Sequence, residues 1–187
     1  RGVAWDDLGE YDKAVQDLTK ALELTEGAQD NEMIATIYNN RGVAWMHKGK
    51  HDRAMEDFSR AIEAKPDYAR AYNNRGAVHA DKGEYEEALS DYNKAIEVEP
   101  NYAQAYYNRG NARAKRGEYD EAIEDYNKAI RLKQDFAEAY NNRGRVWYNK
   151  REYERAIDDY GKAIKLFQAT GKNKEAAVAY NGRGIVM

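Results

Sequence analysis

Residues 71–100 read AYNNRGAVHADKGEYEEALSDYNKAIEVEP, and this stretch decides the fold. Its first part carries small and apolar residues at helical spacing and stops at Gly83. Its second part begins with acidic residues, which suit a helix N-terminus, and stops at Pro100. The stretch therefore predicts two α-helices joined by a short turn.

This pair of helices is one copy of a repeat. Arg-Gly pairs at the equivalent place in each copy begin at residues 1, 41, 75, 109, 143 and 183, so they are spaced by 40, 34, 34, 34 and 40 residues. In the first five copies an alanine follows the glycine by twelve residues, and a second alanine follows the first by seven. A large residue stands between the two alanines, as Tyr92 stands between Ala88 and Ala95. Recurrence at fixed offsets predicts an array of similar helical hairpins.

These residues resemble the tetratricopeptide repeat (TPR), a pattern of two helices in 34 residues. With Ala69 as position 1, the pattern's positions 4, 8, 11, 20, 24, 27 and 32 hold Tyr72, Gly76, His79, Ala88, Tyr92, Ala95 and Pro100. The resemblance implies an all-α fold: a right-handed superhelical solenoid of antiparallel helix hairpins. It covers the chain as a single TPR solenoid over residues 1–187.

The repeat boundaries follow from the same alignment. They give a truncated first repeat with an insertion at 1–34, 34-residue repeats at 35–68, 69–102 and 103–136, a 40-residue repeat at 137–176, and the first helix of a truncated last repeat at 177–187. We expect the six extra residues near TEGAQDN and FQATGKN to form a longer second helix or a looser loop. Because the pattern begins at position 7 and ends at position 11, we expect a piece of a longer array, or ends that stack on another molecule.

Three residues are expected to cap first helices, and one arginine per repeat is expected to serve the fold. Asp67, Asn101 and Asp135 stand where an N-cap is needed.

The arginines at position 7 point toward a neighbouring helix, and an aspartate recurs at position 23. We expect one structural ion pair per repeat, within or between repeats, that sets the register of the helices. The arginines are Arg41, Arg75, Arg109 and Arg143.

Two adjacent asparagines precede most Arg-Gly pairs, although Asn is a weak helix former. At 100° per residue, position 6 lies on the side of the helix opposite the glycine at position 8. The TPR resemblance implies that this side lines a concave groove, where one amide per repeat can grip a peptide backbone. We predict that the row binds an extended peptide, as the asparagine ladders of some TPR proteins do. The row consists of Asn40, Asn74, Asn108 and Asn142, and Gly182 ends it.

Further groove residues are predicted beside this row. Position 5 holds Asn39, Asn73, Tyr107 and Asn141, and other inward positions hold Asn111, Lys115, Arg145 and Tyr148. The alternative for the asparagines is a hydrogen bond to the neighbouring repeat that sets its angle, and we favour this alternative at position 5. The carboxylate clamp of chaperone-binding TPR domains needs residues that this chain lacks, so we do not expect it to bind a Glu-Glu-Val-Asp tail.

Composition narrows the function classes. Thirty basic residues against 33 acidic ones give a net charge of −3, which argues against a nucleic-acid partner. Without cysteine there is no thiol catalysis or zinc–thiolate site, and His47 and His51 are separated by the glycine of a turn. We expect no enzyme activity, no cofactor, no metal and no membrane insertion. The expected partner is a protein or peptide of unknown identity, and the alternative function is a module that self-associates head to tail through its open ends.

Overall fold

The computed structural model describes residues 9–25 and 30–186, which form ten α-helices. Outside the described residues lie 1–8, which include Trp5 and the first helix predicted for the first repeat, 26–29 of the first insertion, and Met187. In chain order the helices are α1 Tyr11–Leu24, α2 Asn31–His47, α3 His51–Ala64, α4 Ala69–Asp81, α5 Tyr85–Val98, α6 Ala103–Lys115, α7 Tyr119–Leu132, α8 Ala137–Asn149, α9 Tyr153–Ala169 and α10 Asn173–Val186.

The chain divides into two compact units, with the boundary between Pro100 and Asn101. In unit 1, α2 pairs with α3 and α4 with α5, and α1 packs on α2. In unit 2, α6 pairs with α7 and α8 with α9, and α10 packs on α9. Within each unit the second helix of a hairpin also packs on the next first helix, and first helices contact each other. The predicted all-α fold of stacked helical hairpins, a helical repeat solenoid, is confirmed.

Small residues allow the two helices of each hairpin to approach closely. Ala88 and Ala95 are fully buried, and Tyr92 lies between them on α5. A Cβ added to Gly76 would lie 2.8 Å from Cε1 of Tyr92, so only glycine fits there. The same glycine–aromatic contact recurs in the other hairpins, which explains why these positions repeat in the sequence.

The turn inside each hairpin needs a residue with positive φ. Gly49, Gly83 and Gly117 take φ values of 67°, 81° and 81°. Arg151 replaces this glycine in the fifth repeat and still adopts φ 63°, a conformation that disfavours residues with a side chain. The turn geometry is therefore preserved at the expense of local strain in the α8–α9 hairpin.

The predicted N-caps are wrong at three helices. α4, α6 and α8 begin two residues after Asp67, Asn101 and Asp135, and the residue preceding each helix is aromatic and provides no side-chain cap. Phe136, which precedes α8, packs with Ile130 and Ala139 in the core instead. Tertiary packing of the aromatic residue sets where these helices begin, and it outweighs the local capping preference.

The extra residues of the 40-residue repeat lengthen two helices. α9 has 17 residues where α3, α5 and α7 have 14, so the expected longer second helix is present. α10 also begins at Asn173, four residues ahead of the repeat boundary at 177. In unit 1, α2 likewise begins at Asn31, where the Asp30 carboxylate accepts a hydrogen bond from the backbone N–H of Met33 at 2.9 Å.

The arginine at position 7 forms the expected ion pair, and the pair lies within one repeat. Arg75 donates from Nε and Nη2 to the two carboxylate oxygens of Asp91, at 2.9 and 2.8 Å. Its third nitrogen donates to Ser59 of the preceding repeat at 3.2 Å. Arg75 therefore joins three helices of unit 1, as Arg41 does through Asp57 and Thr19. In unit 2, Arg143 does the same through Asp159 and Asn127.

Candidate functional site

The candidate site lies on the first-helix face of each unit, by which we mean the sides of the first helices that carry positions 2, 5, 6, 9 and 12. In unit 1 this face belongs to α2 and α4. Nδ2 of Asn74 donates to Oδ1 of Asn39 at 3.0 Å, so a position-6 amide reaches back to the position-5 amide of the preceding repeat. Asn39 and Asn73 are only 5% and 4% exposed. Their burial agrees with the structural role favoured for position 5.

In unit 2 the corresponding network includes a tyrosine. Nδ2 of Asn142 on α8 donates to the Tyr107 hydroxyl at 3.0 Å and to Oδ1 of Asn111 at 2.8 Å, both on α6. The Tyr126 hydroxyl on α7 donates to the same Asn111 oxygen at 2.8 Å. The Tyr107 ring packs 4.8 Å from that of Phe136, and burial raises the pKa of Tyr107. The network therefore ties α6, α7 and α8 together beneath the surface.

The position-6 asparagines differ from their position-5 neighbours in burial. Asn40, Asn74, Asn108 and Asn142 are each partly exposed, in contrast to the buried Asn39 and Asn73. Oδ1 of Asn108 accepts a hydrogen bond from Gln104 at 3.0 Å. Asn74 and Asn142 both support a neighbouring helix and present some surface to solvent, so the two roles considered for the row are compatible.

One cleft on this face brings three predicted residues together. The Gly182 cleft has a volume of about 340 Å³ and lies among α8, α9 and α10 of unit 2. It contains the predicted Asn141, Arg145 and Tyr148, whereas Lys115 is exposed on α6 outside it. Its lining includes Asn141, Arg145 and Tyr148 from α8, Tyr160 from α9, and Val178, Gly182 and Ile185 from α10.

Tyr160, Val178 and Ile185 were not predicted as site residues. Val178 and Ile185 are 63% and 61% exposed, which is unusual for aliphatic side chains at the mouth of a cleft. The available signal was the glycine at position 6 of the last repeat, where the other repeats have asparagine. The glycine interrupts the row of amides, and it lines the cleft together with Tyr160.

The electrostatics of the Gly182 cleft depend on one cation. Arg145 is exposed, and among the described residues no carboxylate lies within ion-pair distance of its guanidinium. Burial raises the pKa of the Tyr160 hydroxyl, and the positive charge of Arg145 opposes that rise. The cleft is therefore a half-apolar, positively charged site.

A second cleft in unit 2 is lined by charges that balance one another. The Phe136 cleft, about 310 Å³, is lined by Gln104, Tyr107, Phe136, Glu138, Phe167 and Lys172 among others. Lys172 donates to Glu138 at 2.8 Å. Burial alone would raise the pKa of Glu138, but the Lys172 hydrogen bond and nearby lysines hold it below its usual value. With Lys133 and Asp135 also in the lining, two cations and two carboxylates balance each other, which leaves the Gly182 cleft as the stronger candidate.

In the parts of the chain that the structure describes, little supports metal binding or a membrane-spanning helix. His47 ends α2 and His51 begins α3, so the two histidines occupy different helices as expected. Across residues 9–25 and 30–186, no three His, Asp or Glu side chains gather in a way that could hold a metal ion. None of the described helices is long and apolar enough to cross a membrane.

Family models identify the repeats. A model described as TPR repeat matches residues 44–83, 78–116 and 110–151, and models described as tetratricopeptide repeat match residues 137–169 and 2–27. These matches cover most of the chain, which belongs to the TPR family. TPR arrays serve as protein-interaction scaffolds, and the matched models describe no enzyme family.

Solved structures agree with the fold. MamA is 26% identical over 91% of this chain and 96% of its own, with a TM-score of 0.74. YrrB, described as a TPR protein with an unusual peptide-binding site, is 23% identical over 98% of this chain and 88% of its own, with a TM-score of 0.70. The first TPR of Spaghetti (RPAP3), bound to the HSP90 peptide SRMEEVD, is 25% identical over 63% of this chain and 94% of its own, with a TM-score of 0.62. No curated protein sequence gives a significant match.

Proposed function

We propose that the chain is a non-catalytic scaffold that binds an extended segment of a partner protein on its first-helix face. The observation that carries this proposal is the Gly182 cleft, where Asn141, Arg145 and Tyr148 converge on open space. These residues supply a hydrogen-bond acceptor, a cation and an aromatic surface, which together suit a peptide with mixed polar and apolar side chains.

The asparagines of position 6 extend this contact surface along each unit. Asn40 and Asn74 serve in unit 1, and Asn108 and Asn142 in unit 2, because each is partly exposed. An amide that already supports a neighbouring helix is held in place, so it binds a peptide backbone with little loss of side-chain freedom. The buried Asn39 and Asn73 are assigned to support rather than contact.

The other predicted groove residues fall into two groups. Tyr107 and Asn111 hold Asn142 in position, whereas Lys115 is exposed and can meet an acidic partner. The peptide-bound RPAP3 domain supports this kind of ligand, since it is similar in fold and its structure contains a bound peptide. The proposal requires no cofactor, nucleic acid or membrane insertion.

A paired pull-down tests the proposal. One bait is the wild-type chain, and the second carries alanine at Asn40, Asn74, Asn108 and Asn142. A third bait, the matched control, carries four alanines at exposed positions of the second helices. Partners should be lost from the second bait only, and circular dichroism confirms that all baits are folded. The control positions are Glu63, Glu97, Glu124 and Lys162.

Because Asn74 and Asn142 support neighbouring helices, the ladder variant could lose partners through loss of structure. A second variant with alanine at Arg145 and Tyr148 avoids this problem, since both side chains are exposed and make no supporting hydrogen bond that the structure describes. Identical partners on this variant, the ladder variant and the wild type would contradict groove binding.

Self-association is the second candidate, and α10 is the observation that favours it. Val178, Tyr180 and Ile185 on this helix are 63%, 45% and 61% exposed, a concentration of apolar surface that another copy could cover. Sedimentation velocity over a range of concentrations separates this candidate from peptide binding. Variants at the position-6 asparagines should leave self-association unchanged, whereas serine at Val178 and Ile185 should weaken it.

A further inference from the structure

The side chain at position 6 normally donates a hydrogen bond to the residue at position 5 on the first helix of the preceding repeat. This hydrogen bond is missing at α10. In unit 1 the Asn74 amide fills the acceptor of Asn39 at 3.0 Å. In unit 2 the Asn142 amide donates the equivalent hydrogen bond to the Tyr107 hydroxyl. At the next step Gly182 has no side chain, and Oδ1 of Asn141 is buried without a hydrogen-bond partner among the described residues. A buried acceptor in this condition destabilises the free protein, and a donated N–H would relieve that cost.

The gap at residue 182 is required by the neighbouring ring. A Cβ on Gly182 would lie 2.8 Å from Cε1 and Cζ of Tyr160, so an asparagine cannot be placed there without moving the tyrosine. The equivalent hydroxyl in the preceding repeat, that of Tyr126, donates to Asn111. Residue 145 stands where Asn111 stands in that repeat, and its guanidinium has only donors. The Tyr160 hydroxyl therefore lines the cleft without that partner.

The groups around this gap select a ligand by charge and shape. Of the described residues that line the cleft, Arg145 is the only charged one, and none is acidic. The arginines of position 7 each have a carboxylate partner in the described hairpins, but Arg145 has none. Val178 and Ile185 form an exposed aliphatic wall on the opposite side of the cleft. The site thus offers an anion-binding group, a side-chain amide acceptor and an apolar surface within about 340 Å³.

We infer that the Gly182 cleft is a receptor for a peptide segment in which an aliphatic side chain stands next to a carboxylate. The ligand's carboxylate pairs with Arg145, a backbone N–H donates to Oδ1 of Asn141, and the aliphatic side chain covers Val178 and Ile185. The carboxylate can belong to an Asp or Glu side chain or to a chain terminus, because Arg145 recognises the same group in both. This inference rests on the proposed function and names the chemistry of the partner segment at one place on the face.

The test selects peptides against the full chain. A displayed library of random dodecapeptides is panned on the wild type, and the strongest binder is synthesised with a free and with an amidated C-terminus. Affinities are measured by fluorescence anisotropy for the wild type, R145Q, N141L and the matched control R131Q, which removes an exposed arginine of the second helix α7 outside the cleft. Circular dichroism verifies that the variants are folded.

We expect selected peptides to share an aliphatic–acidic pair. R145Q should weaken binding by roughly tenfold or more, N141L by roughly two- to tenfold, and R131Q by less than about twofold. Changing the peptide's acid to its amide should weaken binding to the wild type as much as R145Q does, yet should have little further effect on R145Q. Loss on amidation of the C-terminus would assign the carboxylate to the chain end, and retention would assign it to a side chain.

Other outcomes overturn the inference and distinguish it from the proposed function. Peptides that bind the wild type and R145Q equally, but lose affinity when Asn108 and Asn142 are changed to alanine, would refute the cleft while preserving groove binding. Consensus peptides without an acid would refute it as well. A library that yields no binder, together with pull-downs in which ladder and wild-type baits capture the same proteins, would refute both. Occupation of the cleft by a second copy would appear as self-association that R145Q abolishes, and it too would overturn the peptide assignment.

Discussion

Replacing both members of the buried Arg143–Asp159 pair with leucine is expected to cost less stability than replacing either member alone. Arg143 donates from Nε and Nη2 to the two oxygens of Asp159, at 2.7 and 2.6 Å. The side chain of Asp159 is 3% exposed and that of Arg143 16%. Among the described residues no second cation lies within ion-pair distance of this aspartate. The pair is therefore a nearly isolated buried ion pair between α8 and α9.

The magnitudes follow from what each single change leaves behind. Arg143→Leu leaves a buried carboxylate without its partner, which should cost about 3–5 kcal/mol. Asp159→Leu leaves an arginine that is partly exposed and can reach water, so its cost should lie near the lower end of that range. The double variant replaces both charges with apolar volume, and we expect it to cost about 1 kcal/mol. The coupling free energy, the sum of the two single costs minus the double cost, should then be about 5 kcal/mol or more.

Urea unfolding followed by circular dichroism measures these values, provided that the slope of the transition stays constant across the variants. The surface pair Lys162–Asp158 on α9 is the matched control, because its 2.7 Å contact is exposed on both sides. Its double replacement should show coupling below about 1 kcal/mol. Additive losses at Arg143 and Asp159 would refute the view that desolvation of the unpaired charge dominates this site.

Three further changes test other features of the repeat. Arg151→Gly should raise the free energy of unfolding by about 1 kcal/mol, because it removes a side chain from a positive-φ turn; an unchanged urea midpoint would contradict this. Gly76→Ala should lower it by about 1–3 kcal/mol, since the new methyl would meet the Tyr92 ring at 2.8 Å and the Ala88 carbonyl at 3.2 Å, and thermal unfolding would detect the loss. Burial raises the pKa of Tyr92 and Tyr126. Their contribution to the free energy of unfolding is therefore complete below about pH 10 and is lost as the pH rises further. The urea midpoint of Tyr92→Phe should therefore fall less between pH 8 and pH 11 than that of the wild type. An equal fall in the two proteins would contradict this prediction.

Much of the fold could be predicted because its packing constraints recur with the repeat. Gly76 and Tyr92 must fit one another within a hairpin, so the same pair of residue types appears at the same offset in each copy. The Arg–Asp pair is likewise visible from recurrence alone. Only its placement within one repeat, rather than between two, required the structure.

Predictions failed where a local preference competed with tertiary packing. Asp67, Asn101 and Asp135 are good capping residues, but the aromatic residue that follows each of them sets the start of the helix. Angular position along a helix also cannot show which neighbour an amide bonds. The contact from Asn74 to Asn39, and the replacement of such a contact by Tyr107 in unit 2, depend on the distance between adjacent first helices.

The candidate site was predictable in part for the same reason. Arg145 and Tyr148 were placed on the inward side from their helical position, and both line the Gly182 cleft. The end of the asparagine row at Gly182 was also visible in the sequence. Only the three-dimensional packing shows that the Tyr160 ring fills the space beside Gly182 and that Oδ1 of Asn141 is left without a hydrogen-bond partner.

Site-specific photo-crosslinking tests the central claim of peptide binding on the first-helix face most directly. A benzophenone side chain replaces Tyr148 at the cleft in one protein and Lys162, exposed on the second helix α9, in another. With a peptide selected on the full chain, the probe at 148 should crosslink and the crosslink should disappear with excess unlabelled peptide, whereas the probe at 162 should not react. Crosslinking from 162 alone would place the ligand on the second helices and contradict groove binding.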